Sequence, residues 1–194
     1  MGKGGRMTHR NSRRDRHGEL EGSRLAFWTI CLMHDNPLLK YVRDPYKTLR
    51  EAGVKEGQTV VEVGCGPGFF TIPAARIVGD HGLVHALDVN RFAVDRVKKK
   101  IARDSLSNVR ASITNAADTG LADDSVDLVF IFGIRYIAGG LDAVLAEGAR
   151  VLKHGGRLSI EKSRGPDAEL TAGVEKAGFT LSEKKGRLFL FSKR

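Results

Sequence analysis

From Gln58 onward the chain alternates short β-branched runs with stretches whose apolar residues recur every three or four positions. Thr59-Val60-Val61-Glu62-Val63 predicts a compact first strand ending in glycines, and Leu83 to Leu87 a second that ends at Asp88. Val109 to Ile113 predicts a third strand, Val126 to Phe132 a fourth and Arg157 to Glu161 a fifth. The fourth is apolar almost throughout, as a strand covered on both faces of a parallel sheet must be. Between the strands, Val94, Val97 and Ile101 mark one helix face, with Asn90 as its N-cap. Leu141, Val144, Leu145, Ala149 and Leu152 mark another, stopped by Gly155-Gly156. Asp167 is placed to cap a helix bearing Leu170, Val174 and Ala177, which Gly178 closes. The helix after the first strand starts near Thr71, with Pro73 tolerated in its first turn.

The end of the chain departs from this alternation. Thr180 to Lys184 and Arg187 to Phe191 are two strand-like runs separated by Lys185-Gly186, which predicts a hairpin. Upstream of the first strand, Asn36-Pro37 and Asp44-Pro45 each pair a capping residue with proline at the first helical position. The whole predicts an α/β fold, a doubly wound sheet that is mostly parallel with a terminal antiparallel strand and helices on both faces. Three segments are expected: a basic, unstructured tail over 1–24, a helical segment over 25–56 and the main domain over 57–194.

Composition refines this picture. A chain of 194 residues with 41% hydrophobic content suits one domain with an appended tail. No apolar run approaches the roughly 20 residues that span a bilayer, so no membrane segment is expected. The basic first residues lack the apolar stretch of a signal peptide. Cys31 and Cys65 have no metal-like spacing, so neither a metal site nor a disulfide scaffold is expected, and the cytoplasm is the default compartment. Of the net charge of +9, +4 lies in Met1 to Arg24, where seven cations face three anions. That stretch has too few apolar residues to offset its ordering entropy. It reads as an arm that attracts nucleic-acid phosphates, as a solvated tail, or as sequence upstream of a start at Met33.

The chemistry concentrates in Glu62-Val63-Gly64-Cys65-Gly66-Pro67-Gly68-Phe69-Phe70. Glycines directly after a strand let the backbone take positive φ and let a ligand approach it closely. Asp88 follows Gly68 by 20 residues at the end of the next strand, the distance at which one βαβ unit brings a carboxylate to a ribose diol. The dinucleotide fingerprint wants its third glycine one place later, where this chain has Phe69, so the loop suits a ligand without a pyrophosphate.

Taken together, Glu62 to Phe70, Asp88, the Asn115-Ala116 region and Ser125-Val126-Asp127-Leu128-Val129 resemble the motifs of class I S-adenosylmethionine-dependent methyltransferases. The resemblance covers roughly Lys47 to Arg194 and is nearest to the group that includes the ubiquinone and menaquinone methylases. It implies a Rossmann-like fold, S-adenosylmethionine as cofactor and S-adenosylhomocysteine as product. By matched position, the backbone at Gly64, Gly66 and Gly68, with Cys65 among them, packs against the methionine part and the sugar. Glu62 holds the ammonium, Asp88 takes the ribose hydroxyls and Val89 flanks the adenine. Asn115, where the family often has aspartate, faces the exocyclic amine, and Ala116 offers its backbone N–H. Phe132 and Gly133 line the floor near the methyl group.

The acceptor side is less defined. Gly133-Ile134-Arg135-Tyr136 lacks the Asn-Pro-Pro-Tyr motif that holds a base amine in some nucleic-acid methylases. Cys65 belongs to the cofactor loop and reads as a small loop residue, which speaks against covalent attack on a pyrimidine. The candidate catalytic residues are Tyr136 and His34, with Arg135 and Glu161-Lys162-Ser163-Arg164 nearby as further acceptor-side groups. Leu25 to Arg50, with Phe27, Trp28, Tyr41 and Tyr46, is expected to fold over the carboxyl ends of the strands, or else to pad the back of the sheet as core. Three functions stay open: methylation of a small molecule, methylation of RNA or protein with help from the basic tail, and a non-catalytic cofactor- or nucleic-acid-binding module.

Overall fold

A computed structural model describes residues 44–133 and 137–194. The first helix among the described residues, α1 (Pro45–Glu51), starts as its sequence requires. The Asp44 carboxylate accepts from Tyr46 N at 2.9 Å and Lys47 N at 3.2 Å, and Pro45 fills the first helical position. The elements that follow are β1 (Thr59–Val63), α2 (Thr71–Val78), β2 (Leu83–Asp88), α3 (Arg91–Arg103), β3 (Val109–Ile113) and β4 (Val126–Ile131). They continue with α4 (Leu141–Val151), β5 (Leu152–Glu161), α5 (Asp167–Lys176), β6 (Phe179–Lys185) and β7 (Leu188–Lys193). The sheet has seven strands in the order β3-β2-β1-β4-β5-β7-β6. β7 inserts between β5 and β6, antiparallel to both, so the antiparallel strand is last in the chain but interior in the sheet.

Two-residue periodicity divides the core between the two sheet faces. Val60, Val84, Ala86, Leu128 and Phe130 face α1, α2 and α3 and pack with Leu49, Ala75, Val78 and Val97. Val61, Val63, Val129, Ile131 and Leu158 face α4 and α5 and pack with Val144, Leu145, Val151 and Val174. The expected α/β sheet, helix faces and C-terminal hairpin are all present. Asn90 caps α3, its side chain accepting from Phe92 N at 2.9 Å.

Three details differ from the sequence reading. The α4 helix ends at Val151, and its C-cap Leu152 already pairs with Val126 in β5. Gly155 and Gly156 therefore do not stop a helix. They sit where the β4–β5 register jumps from Val126↔Leu152 to Leu128↔Arg157, and a Cβ on Gly156 would come within 2.7 Å of Lys153 O. Asp167 does not cap α5, because Lys162 and Lys184 engage its carboxylate and Pro166 holds the cap position.

Third, Tyr46 stands away from the carboxyl ends of the strands, so of the two places the sequence left open for its segment, α1 takes the core. The described part of the 25–56 segment lies on the sheet face. Leu49, Ala52 and Val54 are buried there, and the buried Ser159 hydroxyl donates to Ala52 O at 2.7 Å. Tyr46 accepts from Arg76 in the last turn of α2, at 3.1 Å. That end of α2 sits beside the start of β1, where Gly57 N donates to Val78 O. Tyr46 is thus at the amino end of the strands, and α1 supplies core. Residues 25–43 lie outside the described residues.

Candidate cofactor site

At the carboxyl end of β1 the chain turns through Gly64, Gly66 and Gly68, with φ of +71°, +50° and +85°. At Gly68 the loop also packs tightly, since a Cβ there would stand 3.1 Å from Val97 of α3. At Gly66 a Cβ would meet nothing within 4 Å, so this stretch of backbone is open to an approaching molecule. The loop is pinned to the next strand, as Gly64 N and Cys65 N both donate to Leu87 O at 2.8 and 2.9 Å.

Asp88 completes that connection. Its carboxylate accepts from Gly66 N at 2.9 Å across 22 residues, and from Asn90 N at 2.8 Å. Burial raises the Asp88 pKa, opposed by backbone N–H donors at Asn90, Gly66 and Val89. A carboxylate offers about four acceptor positions, which leaves room for further donors.

Glu62 points into the α1–α3 side of the sheet and is 3% exposed. It accepts from the Thr71 hydroxyl at the first residue of α2. Burial pushes its pKa up to about 8, a rise that the Thr71 hydrogen bond opposes and nearby Asp88 reinforces. An incoming cation would restore its charge.

The remaining expected residues take varied positions. Val89 is exposed, and Ile113, the register partner of Asp88 on β3, is 59% exposed. They are the large apolar side chains that stand exposed among the described residues. Asn115 accepts from Ala117 N at 2.9 Å in a local turn, and a Cβ on Gly139 would come within 3.3 Å of its amide nitrogen. Ala116 packs against the α4–α5 side of the core. The Phe132 ring is buried edge-on to Phe70, with centroids 5.2 Å apart, so it offers a ligand its backbone. Gly133 is exposed, and its N–H donates to Glu161 at 3.2 Å. Cys65 is buried and free, with its thiol pKa pushed up by burial, which suits a packing residue. His34, Arg135 and Tyr136 lie outside the described residues.

Sequence reasoning missed Ile113, Thr71 and the Gly133–Glu161 bond. An apolar residue closing an edge strand was the available signal for Ile113. Thr71 gave none, because its meeting with Glu62 depends on how the glycine loop turns.

A glycine loop at the end of a parallel strand, bonded to a carboxylate from the next strand, defines an α/β protein that binds a nucleoside cofactor. A family model described as "Methyltransferase domain" matches residues 54–186. The chain is 33% identical over 144 residues to the ubiquinone/menaquinone biosynthesis C-methyltransferase UbiE of Marinomonas sp. (strain MWYL1), covering 73% of this chain and 57% of that protein. It is 38% identical over 112 residues to the demethylmenaquinone methyltransferase of Halalkalibacterium halodurans, covering 57% of this chain and 45% of that one. The chain spans about half the length of these curated relatives. The crystal structure of a SAM dependent methyltransferase from Aquifex aeolicus matches with a TM-score of 0.71 and 29% identity, over 84% of this chain and 95% of that one. The protein belongs to the class I S-adenosylmethionine-dependent methyltransferases, and S-adenosylmethionine is the cofactor of that family. No helix among the described residues is long and apolar enough to cross a membrane.

Proposed function

We propose that this protein transfers the methyl group of S-adenosylmethionine to a small-molecule acceptor and releases S-adenosylhomocysteine. The observation that carries the cofactor reading is the open backbone at Gly66, flanked by the buried Glu62 carboxyl and by Asp88. When bound, the cofactor supplies an electrophilic methyl on a sulfonium. The residues supply position. Gly64, Gly66 and Gly68 receive the methionine part and the sugar along the backbone, with buried Cys65 as packing. Glu62 holds the ammonium, and Asp88 takes the ribose hydroxyls with the acceptor capacity its N–H partners leave.

Val89 and Ile113 flank the adenine, with Asn115 and the Ala116 N–H toward its polar edge. Gly133 and the Phe132 backbone bound the methyl end. His34 and Tyr136 are the acceptor-side groups. The small-molecule preference rests on the similarity to a ubiquinone/menaquinone biosynthesis C-methyltransferase and a demethylmenaquinone methyltransferase, and the paucity of cysteine fits a cytoplasmic setting.

The test is transfer of labelled methyl from S-adenosylmethionine into cell extract, fractionated into RNA, protein and metabolites. Label is expected in the metabolite fraction. Label in RNA or protein would replace that acceptor class, and binding of S-adenosylhomocysteine without any transfer would refute enzymatic activity.

A further inference from the structure

The connection from β3 to β4, residues 114–125, contains neither helix nor strand, yet it carries Asn115 and Ala116. Something other than backbone ladders must hold it. At its start Thr114 N donates to Asp88 O, and at its end Asp124 N and Ser125 N donate to Arg150 O and Val151 O in the last turn of α4. Between these ends the grip comes from a side chain. Glu147 of α4, 9% exposed, accepts from both the N–H and the hydroxyl of Thr119, the former at 2.8 Å. The Thr119 hydroxyl in turn accepts from Leu121 N at 3.2 Å. Arg150 holds the same carboxylate through two guanidinium nitrogens, at 2.8 and 2.7 Å, and extends a third to Asp123. On the far side, Gly139 closes on the turn so tightly that a Cβ would stand 3.0 Å from Ala117 Cβ.

A buried carboxylate in this role is a poor way to gain stability, because its desolvation cost rivals what its partners return and apolar replacements often do as well. What a fork of directed acceptors supplies, and an apolar contact does not, is a fixed position. We infer that Glu147 is a positioning residue for the adenine end of the cofactor site, holding the Asn115–Ala117 turn in place through Thr119. The inference rests on the reading above in which Asn115 and Ala116 face adenine. The Arg150 pair holds the Glu147 pKa down to about 2, so this grip persists across the working pH range.

The test compares two ligands by calorimetry: S-adenosylhomocysteine, and S-inosylhomocysteine, in which a carbonyl replaces the exocyclic amine. Glu147→Gln is expected to weaken S-adenosylhomocysteine roughly three- to tenfold, the scale of one positioned hydrogen bond, while hardly changing S-inosylhomocysteine. Thr119→Val should reproduce that selectivity if Glu147→Gln does not fold, and Thr119→Ser should restore binding. Combining Glu147→Gln with Asn115→Ala should give less than the product of the separate losses. Equal weakening of both ligands would show a merely structural role and overturn the inference. So would unchanged binding in Glu147→Gln when Asn115→Ala alone shifts the ligand ratio. If Asn115→Ala leaves that ratio unchanged, the adenine reading itself fails and takes the inference with it.

Discussion

If Glu62 holds the ligand ammonium as proposed, its raised pKa makes cofactor binding tighten as pH rises. The free protein holds this carboxyl at a pKa of about 8, so it is mostly protonated at neutrality. If the ligand ammonium binds the carboxylate form, binding must release that proton. Apparent affinity then follows the deprotonated fraction, and each pH unit between about 5.5 and 7.5 tightens binding roughly tenfold, or about 1.4 kcal/mol.

The folding term has the opposite sign. The folded pKa lies above the ordinary 4.5, so Glu62 favours folding fully below pH 4.5 and loses that contribution as pH rises toward 8. The gap between 4.5 and about 8, at about 1.36 kcal/mol per unit, sets an upper bound of roughly 5 kcal/mol. Glu62→Gln removes both effects. The variant should gain thermal stability over the wild type above pH 7 and lose the pH slope of S-adenosylhomocysteine binding. Calorimetry in buffers of different ionisation enthalpy should count close to one proton released per ligand near pH 6.5 with the wild type. A flat wild-type affinity from pH 5.5 to 7.5, or no proton released, would refute the reasoning.

Asp88→Ala should weaken S-adenosylhomocysteine by about 1.5–3 kcal/mol, the scale for hydrogen bonds to a charged group, with unchanged affinity by calorimetry counting against the ribose role. Gly66→Ala should cost about 1–2 kcal/mol of stability in chemical denaturation, because φ is +50° there. It should also abolish measurable binding, as its new methyl points into open space otherwise available to the ligand. Ser159→Ala leaves the buried Ala52 carbonyl without its donor, and urea denaturation should show a loss of about 1–3 kcal/mol with cofactor affinity unchanged.

Much of the fold was legible because each strand carries its own evidence. Val60 and Val61 alternate between two covered faces, and the interval from Gly68 to Asp88 matches one βαβ unit. What escaped the sequence depends on pairings that spacing does not encode. Leu152 fits the helix stripe of Leu145 and Ala149, and its place in β5 is decided by Val126 on a neighbouring strand. Asp167 looks like a cap until Lys162 and Lys184 converge on it from β6 and from the end of β5. The Asp44-Pro45 pair correctly marks where a helix begins. It says nothing about which sheet face receives that helix, a matter settled by a Ser159–Ala52 bond spanning 107 residues. For the same reason Tyr46, in a segment for which the sequence left both the acceptor side and the back of the sheet open, stands with Arg76 at the amino end of the strands.

The two acids of the site also account for where the third glycine falls. Glu62 and Asp88 lie at the carboxyl ends of adjacent parallel strands and project to the same side of the sheet, since Glu62 pairs with Ala86, two residues before Asp88. Both are desolvated, but they are satisfied differently. Asp88 receives backbone N–H groups, while Glu62 receives the Thr71 hydroxyl and sits deeper. The first arrangement keeps a carboxylate ready for neutral hydroxyls. The second makes a charged Glu62 costly until a cation arrives. A pyrophosphate brought to this loop would meet both carboxyls, and any ionised one repels it. A ligand with an ammonium at one end and a ribose in the middle would find a partner for each in the roles proposed for Glu62 and Asp88. In a dinucleotide fold the third glycine lets helix and strand close up while the helix N-terminus faces a phosphate. Here Gly68 closes on Val97 one residue earlier, and Phe69 packs edge-on against Phe70 where the fingerprint would have its glycine. On the proposed reading, glycine placement and buried acids favour the same ligand, a nucleoside carrying a cationic amino-acid arm in place of a diphosphate.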